Sequence, residues 1–184
     1  KNIDRAVESV GDVNFGIYEC PYPYKRVMTP EVLKKLAESG RFTFLKDTCC
    51  DPGMINEKLR AVDGMGLKIF NANSASLLET LKMGCAGFSG VMANFHPEIY
   101  SWLCKNFKKE PEKAKKVQAF LGFASLAECQ VYPVNAKYYL SLEGVPMGCD
   151  CRSKDASAFT LSRRMEIEQM RELTEQFKAD MGIE

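Results

Sequence analysis

Lys46 stands near the end of the apolar run "FTFLKDT", and Tyr18 near the end of another, "NFGIYEC". A lysine withdrawn from water gives up its proton readily and becomes a nucleophilic amine. Two plainer accounts compete: the ammonium reaches back to solvent on its alkyl stem, or it pairs with the adjacent Asp47. Position puts the nucleophile on an equal footing with them. Parallel α/β folds gather their catalytic side chains at the carboxyl ends of strands, where both Lys46 and Tyr18 sit.

The elements that would position these residues alternate along the first half of the chain. "NFGIYEC" (14–20), "FTFLKDT" (42–48), "LKIFNAN" (67–73) and "GFSGVM" (87–92) read as strands. Between them lie helical stretches. "TPEVLKKLAESG" has Thr29 to cap it, Pro30 for its first turn and Gly40 to stop it, and "DPGMINEKLRAVDG" has Asp51 and Pro52 in the same roles. Strands separated by helices imply parallel βαβ units, because parallel neighbours need a crossover. From about residue 96 the pattern is helical, in "PEIYSWLCKNF", "PEKAKKVQAFLGFASLAECQ" and "SRRMEIEQMRELTEQFKADMG". "VYPVNAKYY" and "EGVPMGCDCRSKD" read as proline-bearing connections. The fold class is α/β, with four parallel strands that suit a small doubly wound sheet or half of a (β/α)8 barrel. No glycine-rich phosphate loop follows the first strand, which weakens the nucleotide-binding version.

Composition narrows the function. The 184 residues carry 25 Lys plus Arg against 24 Asp plus Glu, so the net charge of +1 gives no general attraction to nucleic acid or an anionic membrane. No apolar run approaches the ~20 residues of a membrane helix, and a cytoplasmic protein is expected. The eight cysteines lie mostly inside apolar segments, with Cys49–Cys50 and Cys149–Cys151 the close pairs, so reduced thiols are expected and neither a metal nor a cofactor is. His96, the single histidine, precedes Pro97 and reads as a surface or capping residue.

Three stretches carry a likeness to a known family. "IYECPYP" resembles the Tyr-Asn-x-Pro turn of the dihydrodipicolinate synthase/N-acetylneuraminate lyase family of class I aldolases. "FLKDT" is similar to its Schiff-base lysine strand, and "MGCAGFSGVMANFHPE" to its Gly-x-x-Gly…Asn segment at the last strand. The separation of Tyr18 from Lys46 fits the family pattern, and "YPVNAKYYLSLEGVP" resembles its closing Pro-x-x-Lys helix. The resemblance implies a (β/α)8 TIM barrel, of which this chain resembles strands 5–8 with a C-terminal helical extension. Residues 1–107 would be the C-terminal half of the barrel, and residues 108–184 the extension packed on it. A full barrel takes about 250 residues. The expectation is therefore that the chain is a C-terminal fragment, or that another polypeptide supplies the missing N-terminal half barrel.

The resemblance also implies roles. Lys46 would condense with the ketone of pyruvate or a related 2-keto acid, with burial depressing its pKa, and Phe42 and Phe44 would wall its strand face by alternation. Tyr18 would relay protons, with an apolar ring in the core as the lesser alternative. Thr48 matches a substrate-contacting hydroxyl, Ser89 a residue whose backbone carbonyl approaches substrate, and Ala72 a glycine in the substrate-binding segment. Departures leave the acceptor open: Pro23 stands where the synthase branch has an arginine, with Lys25 and Arg26 nearby. Ser74 and Ala75 stand where the sialate-lyase branch has acids, and Glu19 replaces the usual Asn. A homotetramer is implied. Two alternatives stay open: a non-catalytic fragment or degenerate member acting as a binding or assembly module, and an unrelated doubly wound binding domain.

Overall fold

Strands and helices alternate through the first half of the chain, as the sequence pattern requires. The computed structural model describes residues 2–184, apart from the side chains of residues 2, 4 and 6. α1 (Asn2–Ser9) leads into β1 (Phe15–Tyr18), α2 (Pro30–Glu38), β2 (Phe42–Asp47), α3 (Pro52–Ala61), β3 (Lys68–Asn71), α4 (Leu77–Met83) and β4 (Gly87–Phe88). The strands lie in the order β1-β2-β3-β4, and both β1–β2 and β2–β3 are parallel. α5 (Pro97–Asn106), α6 (Pro111–Ala124), α7 (Val134–Leu142) and α8 (Leu161–Met181) follow.

The helix starts obey their local chemistry. Thr29 Oγ1 accepts from Val32 N, and Asp51 Oδ1 accepts from Gly53 N and Met54 N, each satisfying donors that the first turn leaves open. Pro30 and Pro52 follow these caps, where a missing N–H costs nothing.

Two compact units result. The first comprises Lys1–Ala72 with Thr80–Gly87. Its core gathers Ile17, Leu33, Ala37, Leu45, Ile55 and Ile69 where α2 and α3 pack on one face of the sheet. Phe42 joins this cluster instead of the wall expected beside Lys46. A register shift, with Phe15 opposite Phe42 but Gly16 opposite Phe44, breaks the two-residue alternation at that point. Arg41 anchors the segment ahead of β1: its guanidinium donates to the carbonyls of Val7, Gly11 and Val13 and lies 4.9 Å from the centre of the Phe15 ring.

The second unit, Asn73–Glu79 with Phe88–Glu184, is helical beyond β4, with α5 packed on α6 and α7 on α8. Ile99, Leu103, Val117, Leu121, Val134 and Ile167 are fully buried in it. β4 is shorter than the expected 87–92, because residues after Gly90 wind into a 3-10 turn, Val91–Asn94. "VYPVNAKYY" is not simply a connection: α7 begins directly after Pro133, whose carbonyl accepts from Lys137 N at 3.1 Å. A proline at a helix start leaves the ladder intact, so it marks a boundary rather than a break. His96 is neither a surface residue nor a side-chain cap. It is 0% exposed, stacked on Tyr100 with centroids 5.6 Å apart and edge-on to Phe120.

Candidate active site

Side chains alternate across a strand, so the ends of β1 and β2 deliver consecutive residues to opposite faces of the sheet. Tyr18 pairs with Lys46 and Lys46 with Phe70, giving one row across three strands. On this face the Lys46 amine lies 4.5 Å from the centre of the Tyr18 ring. Phe44 and Phe70 follow beside it with ring centres 5.0 Å apart. Gly16 makes room for Phe44, since a Cβ at Gly16 would come within 2.9 Å of Phe44 Cδ1. The face is open: Tyr18 is 51% exposed and Lys46 is half-buried. Among the described residues no carboxylate pairs with the Lys46 amine, and the neighbouring Asp47 faces the other way.

Asp47 and Glu19 turn toward the helices. There Lys58, projecting from α3, sits 2.6 Å from Glu19 Oε1 and 2.5 Å from Asp47 Oδ2, with all three side chains fully buried. Burial lowers the affinity of Lys58 for its proton, but the hydrogen bonds it donates to Asp47 and Glu19, with the attraction of their charges, outweigh it and hold the pKa above its ordinary value. The remaining carboxylate oxygens are also used. Glu19 Oε2 accepts from Thr48 N, Glu19 Oε1 also from Met28 N, and Asp47 Oδ1 from Cys49 N. The sequence reading missed this trio, because a helical lysine ordinarily reads as solvated. Its one signal was Glu19 in the place of the usual Asn.

The other expected site residues divide. Thr48 is buried and donates its hydroxyl to the Glu19 carbonyl at 2.6 Å. Ala72 continues the ladder at the same strand edge, its N–H donating to the Asp47 carbonyl at 2.9 Å. Tyr18, Lys46, Thr48 and Ala72 thus share the carboxyl edge of the sheet, whereas Ser89 directly follows β4 in the second unit. Lys25 and Arg26 are exposed. Ser74 is buried, with its hydroxyl 2.7 Å from that of Tyr100. Burial first, then a hydrogen bond with Asp47, pushes the Cys49 thiol up to about 12. Among the described residues no group of three His, Cys, Asp or Glu could hold a metal ion, and no helix is long and apolar enough to cross a membrane.

The dihydrodipicolinate synthetase family model matches residues 3–173. A 4-hydroxy-tetrahydrodipicolinate synthase of Clostridium perfringens is 24% identical over 139 residues, which are 74% of this chain and 47% of that protein. The chain therefore spans about half the length of the curated relatives it matches. Among solved structures, YagE, a prophage protein of the dihydrodipicolinic acid synthase family from E. coli K12 in complex with pyruvate, aligns with a TM-score of 0.79 at 22% identity, over 96% of this chain and 61% of that one. The 4-hydroxy-tetrahydrodipicolinate synthase of Methylacidiphilum fumariolicum SolV gives 0.82 at 18% identity, over 98% and 60%. These likenesses give the fold: an α/β chain with a parallel sheet, aligned over nearly all its length with the structures of dihydrodipicolinate synthases. By the extent of the family match, the chain belongs to the dihydrodipicolinate synthetase family.

Proposed function

We propose that the protein is a Schiff-base-forming aldolase or lyase acting on pyruvate or a related 2-keto acid. Lys46 is its nucleophile and Tyr18 its proton relay. One observation carries the reading. In a chain of this family, a lysine amine with no carboxylate partner among the described residues lies 4.5 Å from the centre of a tyrosine ring at the carboxyl edge of a parallel sheet.

The amine attacks the ketone carbon of the keto acid and gives a carbinolamine. Loss of water then leaves a protonated imine, which withdraws electrons from the adjacent carbon and lets it lose a proton. The Tyr18 hydroxyl delivers and recovers the protons that these steps move. Thr48 and Ala72 line the substrate on this reading. The chain corresponds to strands 5–8 of a (β/α)8 barrel, with residues 1–107 in the barrel and 108–184 as its helical extension, working as a cytoplasmic homo-oligomer. The acceptor is left unassigned, because Pro23, Ser74 and Ala75 match neither branch of the family.

Borohydride reduction in the presence of pyruvate, followed by peptide mass analysis, tests the mechanism. A reduced pyruvate adduct on Lys46, absent from Lys46→Met, is the expected result. A folded sample that returns Lys46 unmodified overturns it.

A further inference from the structure

The ion trio behind the sheet holds the residue that follows Tyr18 and the residue that follows Lys46. We propose that Lys58 is a positioning residue for the carboxyl edge of the sheet: by binding Glu19 and Asp47 together, it fixes the Tyr18 ring and the Lys46 amine face to face. The catalytic meaning of this geometry rests on the imine chemistry proposed above; the geometry itself does not.

Hydrogen bonds continue past the end of the β1–β2 ladder. The Glu19 N–H donates to the Lys46 carbonyl at 3.2 Å. Beyond it, side chains take over from the backbone. Thr48 N donates to Glu19 Oε2 at 2.9 Å, Thr48 Oγ1 to the Glu19 carbonyl at 2.6 Å, and Cys49 N to Asp47 Oδ1 at 2.9 Å. Two carboxylates therefore bind the chain leaving β2, and one ammonium binds both carboxylates. Each carboxylate oxygen has a donor, so the network has one arrangement rather than several.

Lys58 is delivered by α3, whose start is fixed by the Asp51 cap. Because adjacent residues of a strand face opposite ways, the orientation of Glu19 and Asp47 sets that of Tyr18 and Lys46. Stability alone is a poor reason for this device, since well-packed apolar residues of similar volume often serve a core as well as a buried ion cluster does. Geometry is what the ions add.

The test reads the position of Lys46 directly. An amine stem over an aromatic ring carries a ring-current shift on its ε-methylene protons, observable by carbon–proton NMR in the intact chain. Wild type is expected to show that upfield shift. The charge-neutral variant Glu19→Gln/Lys58→Met/Asp47→Asn is expected to stay folded, with the core methyl resonances of Leu33 and Ile55 in place. It should lose the shift and change the pH profile of Lys46 acetylation by a competing reagent. Lys58→Arg, whose forked guanidinium can hold two carboxylates, should retain both signals.

A folded triple variant with an unchanged Lys46 shift and acetylation profile overturns the proposal, as does a wild type without the shift. Should the triple variant not fold, Asp47→Asn and Glu19→Gln singly carry the same readout, each expected to weaken the shift. A wild type that shows the shift yet traps no pyruvate removes the imine chemistry and leaves Lys58 its positioning role.

Discussion

Lys58 in the first compact unit and His96 in the second are equally hidden, each 0% exposed, yet their pKa values move in opposite directions. Burial disfavours the charged form of both. Lys58 meets Glu19 and Asp47, and its pKa is held above the ordinary value. His96 meets rings: neither nitrogen has a hydrogen-bond partner among the described residues, and burial, followed by the nearby Lys178 charge, lowers its pKa to about 4. Partners, not depth, decide whether these two buried bases carry charge. Lys46 presents a third setting: its amine lies over the Tyr18 ring, with no carboxylate partner among the described residues.

The largest effect is expected when Lys58 alone loses its charge. Lys58→Met leaves two carboxylates without their cation and is expected to cost about 3–5 kcal/mol in urea denaturation. Replacing all three members together should recover most of that loss. A small effect from Lys58→Met would mean that water, not the ammonium, satisfies Glu19 and Asp47.

His96 sharpens the opposite case. The unfolded chain takes up a proton on this ring near its ordinary value of 6.5, while the folded chain resists down to about 4. Between those values the unfolded state holds more protons, so stability falls as pH drops from 6.5 toward 4. The expected loss is about 3 kcal/mol, fully present once the pH is below 4 and absent above 6.5. His96→Phe removes two unpartnered nitrogens from an aromatic stack, so it should flatten this slope without lowering stability at pH 7. Thermal denaturation across the pH series reads both effects.

The smallest change is expected at Lys46. Half-buried and outside any ion pair among the described residues, it should tolerate Lys46→Met within about 0.5 kcal/mol. A stability loss comparable to that of Lys58→Met would place Lys46 in the core network and remove the contrast between the two lysines.

Local chemistry was legible in the sequence. The caps at Thr29 and Asp51, with prolines just inside, fix the starts of α2 and α3, and short apolar runs between the helical stretches locate β2 and β3. What was not legible depends on partners far along the chain. Lys58 meets Glu19 from 39 residues away, and no periodicity announces that a helical lysine will turn inward. Phe42 left the expected wall because a register shift is a property of two strands, not one. His96 was misplaced because its cover comes from Phe120, whose approach depends on helix packing. At the site, the pairing of Tyr18 with Lys46 was readable from strand ends, whereas the clamp behind them was not.

One further contact separates constraint from location. Arg41 binds the carbonyls of Val7, Gly11 and Val13, which lie 34, 30 and 28 residues earlier in the chain. Every residue type supplies a carbonyl, so these bonds ask nothing of the side chains at the three positions. The approach to β1 can therefore vary in sequence and keep its path, because the requirement has been transferred to one planar cation that a lysine does not replace.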